Sequence, residues 1–83
     1  MVMHLLKCDV LATGPGPSEK VVEILTTTGS EEVVLHSSAL DDQGRVEVGV
    51  LGYDQGRALV ELPREASSGR WRVWVPAAAL VAS

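Results

Sequence analysis

Turn-forming residues interrupt this chain at short intervals, and that spacing limits what it can build. Gly14-Pro15-Gly16-Pro17, Gly29-Ser30, Asp41-Asp42-Gln43-Gly44, Asp54-Gln55-Gly56, Gly69 and Pro76 punctuate it. No stretch between them sustains a period of 3.6 residues with caps, so no long helix is expected. The pieces are instead rich in β-branched residues and alternate in polarity, as strands do. The cleanest alternation runs over residues 45–53. Val46, Val48 and Val50 share a presumed core face, with Arg45, Glu47, Gly49, Leu51 and Tyr53 outward.

The other pieces read the same way. Residues 2–11 alternate as one extended run with both phases mostly apolar, and 13–18 form a Gly/Pro loop that cannot continue a sheet. In residues 20–28, Val22 and Ile24 oppose Val21, Glu23 and Leu25; in 31–37, Val33 and Leu35 oppose Val34 and His36. Asp54-Gln55-Gly56 makes a tight hairpin into residues 57–63, where Ala58, Val60 and Leu62 face inward and Leu59 and Glu61 outward. Ala77-Ala78-Ala79-Leu80 suits one helical turn. The expected fold is all-β: a small barrel or roll of five to six short antiparallel strands, with one short helical turn near residues 77–80. It is expected to form a single domain over residues 1–83.

A chain of 83 residues buries a modest share of its surface, so its stability needs a supplement. Cys8 is the one cysteine, which excludes an internal disulfide and suits a reduced, cytoplasmic setting. No Cys/His cluster has zinc-site spacing, which leaves oligomerisation. Hydrophobic residues make up 46% of a chain without Phe, so branched aliphatics must supply the core and also occupy outward phases, a surplus that marks an interface. The start, Met1-Val2-Met3-His4-Leu5-Leu6-Lys7, is too short for a signal peptide's apolar region, and no run approaches the ~20 residues of a membrane span. The expected partners therefore include no membrane. The net charge of −4 also argues against nucleic acid, which needs a basic surface. Charge is uneven: residues 1–56 carry −6 and residues 57–83 carry +2, so an acidic end of one subunit can meet a basic end of another.

Within Arg70-Trp71-Arg72-Val73-Trp74-Val75-Pro76, alternation puts Trp71 on the face of Val73 and Val75, and Trp74 on the face of Arg70 and Arg72. Trp71 is thus expected in the core, with a truncation cost of about 3–5 kcal/mol. Trp74 is expected outside, between arginines. Arginine stacks on indole or pairs with carboxylate, and both residue types dominate interface energetics. Arg57, Leu59 and Glu61 lie on the facing phase of the preceding strand, where Glu61 can neutralise an arginine across the hairpin. The candidate contact residues are Tyr53, Leu59, Glu61, Arg70, Arg72 and Trp74.

Residues 57–81, centred on Trp71-Arg72-Val73-Trp74-Val75-Pro76-Ala77-Ala78-Ala79-Leu80, resemble the closing half of SH3-like barrels. Those have a hairpin, a strand ending in proline, a helical turn and a brief last strand. The aromatic groove that reads proline-rich peptides is missing here, so the resemblance implies architecture and not peptide recognition. Pro76-Ala77-Ala78-Ala79-Leu80 is also similar to the closing turn of the type II dihydrofolate reductases, SH3-like chains that assemble as tetramers around a shared pore. Their Val-Gln-Ile-Tyr motif is replaced by Val73-Trp74-Val75, so this likeness implies only that such a barrel can tetramerise.

Other constellations carry less. Nucleophilic catalysis needs base and nucleophile in reach and an orienting third group. His36 and Ser38 share a phase side by side and read as a strand end entering a turn. Asp41 and Asp42, with Glu31 and Glu32 nearby in sequence, lack calcium-loop spacing and read as a hydrated turn. His4 and Cys8 lie roughly 13 Å apart along a strand, too far for one metal. The prolines of residues 14–17 remove the amides a phosphate loop needs. No catalytic residue, metal or cofactor is assigned. The expected role is a small non-enzymatic binding module that self-associates, as a dimer or tetramer, through the outer face of its C-terminal hairpin and binds a protein or a small apolar-anionic ligand. The alternatives are an enzyme or ligand binder with a site formed only between subunits, and an acidic adaptor or antitoxin-type partner of a basic protein.

Overall fold

The computed structural model describes residues 2–82. Met1 and Ser83, the ends of the expected 1–83 domain, lie outside the described residues. Eight strands follow in order: β1 (Val2–Lys7), β2 (Asp9–Thr13), β3 (Glu19–Thr26), β4 (Gly29–His36), β5 (Arg45–Asp54), β6 (Arg57–Glu61), β7 (Arg72–Pro76) and β8 (Leu80–Ala82). Single 3-10 turns occupy Ser37–Ala39 and Ala77–Ala79, the second within the expected 77–80 turn. The fold is all-β, as its punctuation predicts. Its antiparallel strands form two sheets that do not close into a barrel, ordered β7-β6-β5-β1-β8 and β2-β3-β4. Eight strands exceed the five or six expected. One reason is that residues 2–11 divide at Cys8 into β1 and β2, which enter different sheets.

The core lies between the sheets. Leu6, Val46, Val48, Val50, Ala58, Val60, Val73 and Val75 come from the larger one, and Val22, Ile24, Val33 and Leu35 from the smaller, joined by Leu62 and Ala66. No aromatic ring is among them. In β5, β6 and β7 alternation read the inward valines correctly because one face of the sheet is covered; in β1, β3 and β4 it separated the two phases without choosing between them.

It failed for Trp71. β7 begins at Arg72, so Trp71 lies one residue before the pleat. Its side chain is 51% exposed, and the indole Nε1 donates to Glu65 Oε2 at 2.9 Å. A buried indole needs a partner for its N–H, and this ring finds one at the surface. Leu62 and Ala66, from the loop between β6 and β7, fill the interior at that end.

The hairpin from β5 to β6 turns through Gln55 (φ 52°) and Gly56 (φ 78°), two left-handed positions that match the twist of the strands. A bulge at Leu51 separates the pairs Val50↔Val60 and Gly52↔Leu59. Edges are managed unevenly. On β4, Ser67 N–H donates to the Glu32 carbonyl at 2.8 Å and Arg64 Nη1 to the Val34 carbonyl at 3.1 Å. On β7, the Trp74 carbonyl accepts from Thr27 N–H at 3.0 Å, tying the two sheets together. No helix among the described residues is long and apolar enough to cross a membrane.

Candidate functional site

Trp74 sits in the middle of β7, between buried Val73 and Val75, and so projects from the face away from the core. Its cross-strand partner is Leu59, and Leu59 pairs on its other side with Gly52. Gly52 has no side chain, and a Cβ there would meet no atom within 4 Å. The half-buried indole and Leu59 therefore stand beside an open strip of backbone. Two pairs further on, Arg72 opposes Glu61, and the guanidinium Nε meets Glu61 Oε2 at 2.9 Å. That is the cross-strand neutralisation the outward phases predict.

The arginine that stacks on Trp74 is Arg57, with its guanidinium carbon 4.4 Å from the ring centroid. Arg57 pairs with Pro76 in register, which makes it a diagonal neighbour of Trp74, within reach of a long side chain. Asp54 fixes the other side of the guanidinium at 2.8 Å. The sequence placed Arg57 on the correct face but gave the stacking to the arginines flanking Trp74. The signal that finds it is the two-residue turn, which sets the register and with it the diagonal.

Tyr53 does not join this group. The bulge at Leu51 adds one residue to β5, so every position beyond it changes face. Tyr53 pairs with Ala58, which is fully buried, and therefore lies on the core side of the sheet. It is 61% exposed there because the hairpin end extends past the core. Arg70 lies outside β7 and turns toward β4. Its Nη1 is 3.6 Å from Glu31 Oε2, and Glu31 also accepts from the Ser68 hydroxyl at 2.6 Å. Glu31 is the buried acid among the described residues.

These groups surround a cleft of about 410 Å³ lined by Thr26, Thr27, Thr28, Glu31, Arg57, Arg70, Arg72, Val73 and Trp74. It lies where the turn from β3 to β4 meets the edge of β7. The sequence offered Glu31 only as a neighbour of an acidic turn and did not place it or the threonines beside β7, since that approach comes from contact between sheets and not from any local pattern.

The remaining candidates resolve locally. His36 and Ser38 do meet: the Ser38 hydroxyl is 2.7 Å from His36 Nδ1, but the Ser38 backbone N–H also donates to that nitrogen at 3.1 Å. The histidine thus caps the 3-10 turn at Ser37–Ala39. Asp41 Oδ1 accepts from the backbone of Gln43 and Arg45, and Oδ2 pairs with Arg45 at 2.7 Å. The bond from the Arg45 backbone is the main cause that holds the carboxyl below its ordinary range. It orders a turn. Cys8 donates its thiol to the Gly44 carbonyl at 3.0 Å, and burial above all pushes its pKa up to about 11. Such a thiol stays protonated near neutrality and is a poor nucleophile. No family model, curated protein or solved structure matches this chain.

Proposed function

We propose that this chain is a small non-enzymatic binding module, SH3-like in build, that self-associates as a dimer or tetramer through the outer face of β6 and β7. The observation that carries the reading is Trp74. It is a half-buried indole off the core, stacked by Arg57 and set opposite Leu59, beside backbone that Gly52 leaves uncovered. Aromatic and arginine side chains next to accessible backbone are the composition of an interface centre. The SH3-like part rests on the order hairpin, proline-ended strand, 3-10 turn and brief final strand. A cytoplasmic setting belongs to the same proposal and rests on the lone cysteine.

Size exclusion with light scattering tests it. Trp74→Ala is expected to lower the average mass while the β spectrum in circular dichroism stays unchanged. Trp71→Ala, a control outside the face, is expected to leave the mass as it was. A wild-type monomer at every concentration, or an unchanged mass for Trp74→Ala, removes the proposal.

One observation favours the acidic-adaptor reading. Asp9, Glu23 and Glu32 are neighbours across β2, β3 and β4 on the face away from the core. Like charges in register repel, and a basic partner would relieve that repulsion. Salt-sensitive binding of a basic polypeptide, abolished by Glu23→Gln, would support it.

A further inference from the structure

The geometry points to the cleft beside β7 as a site for a small organic oxyanion, a carboxylate or phosphate carried on a flat apolar group. The inference rests on the reading that the Trp74 face is a contact surface, and it names what enters next to it. Three guanidiniums, those of Arg57, Arg70 and Arg72, line the cleft against the single carboxylate of Glu31. Their other carboxylate partners, Asp54 and Glu61, are not among the lining residues. Arg70 and Arg72 are each held by an acid through one side-chain nitrogen, Nη1 and Nε, whereas Arg57 meets Asp54 twice, through Nη2 on Oδ2 and Nε on the backbone carbonyl. A guanidinium has five N–H donors in a planar fork. The internal ion pairs therefore fix the side chains and leave donors over, a pre-ordered arrangement for a second oxyanion.

The opposite wall is Thr26, Thr27 and Thr28. Their hydroxyls add donors and their methyl groups, with Val73 and the Trp74 ring, add apolar surface. A volume of about 410 Å³ is in the range of small-molecule sites, and inorganic phosphate alone would leave most of it to water. The occupant thus carries an apolar body as well as its anionic group. All these groups come from one chain, so the site is present without a second subunit.

Trp74 itself reports occupancy. Trp71→Phe leaves it the sole tryptophan, and its emission is titrated with phenyl phosphate and with phenylacetate at fixed ionic strength. A saturable change with either probe, weakened about tenfold or more by Arg72→Gln, is the expected result. Which probe acts tells phosphate from carboxylate. No saturable change with either, or equal affinity in Arg72→Gln, overturns the site. Arg72→Lys should recover part of the binding, because it restores the charge without the fork. Light scattering of the same samples separates the two proposals: emission that saturates in a chain that stays monomeric sinks self-association and keeps the cleft.

Discussion

At the scale of single residues, Trp71 does not carry the core volume that alternation assigned it. Trp71 is half exposed and bonded to Glu65, whereas Ile24 is 1% exposed within the core. Trp71→Ala is therefore expected to cost under about 1 kcal/mol, and Ile24→Ala about 2–5 kcal/mol, in urea unfolding. Comparable losses would show that the indole carries core volume after all. Cys8 gives a second residue-level expectation. Its folded pKa is about 11 against an ordinary 9.0, raised first by burial and then by Asp9 and Asp41. Between those values the unfolded chain has released a proton that the folded chain keeps, so stability falls as pH rises through that window. Below pH 9 the contribution is complete and constant. Melting temperature followed from pH 8 to 11 should drop more steeply for wild type than for Cys8→Ala; parallel curves would contradict the shift. Buried Val46, Val48 and Val50 were legible because they alternate with Arg45, Glu47 and Gly49, which leaves the valines one face to choose. Trp71 was not, because alternation says nothing about the residue at which the pleat begins.

At the scale of elements, register decides what faces what. The hairpin of β5 and β6 was legible from Asp54-Gln55-Gly56, and its pairing delivers Leu59 to Trp74 and Glu61 to Arg72. The bulge at Leu51 was not, since no residue there demands it, and one extra residue moved Tyr53 off the outer face. The break at Cys8 was equally silent: an extended run reads the same whether it stays in one sheet or crosses to another. The loop between β6 and β7 has a structural task, covering the β4 edge through Ser67 and Arg64. The Ser67 amide, bonded to the Glu32 carbonyl, is expected to exchange with deuterium far more slowly than that of neighbouring Ser68. Equal exchange at the two positions would show that the loop does not hold that edge.

For the whole molecule, the edges differ in how they are closed. β4 and β7 are bonded along their free sides, whereas every residue of β2 is exposed. Val10, Leu11 and Leu25 add apolar exposure on the smaller sheet, far in sequence from Trp74. Charge is also divided, with an acidic row across the smaller sheet and arginines around the β7 edge. The uneven charge was legible in the sequence; its sorting onto separate sheets depended on the topology. Two surfaces therefore compete as the place where copies would meet, and the indole of Trp74 stacked by Arg57 favours the outer face of β6 and β7. Amide chemical shifts mapped over a dilution series compare the two surfaces directly. Concentration-dependent shifts centred on residues 57–61 and 72–76 are expected, and shifts confined to residues 9–13 and 25, or absent throughout, would contradict self-association through the Trp74 face.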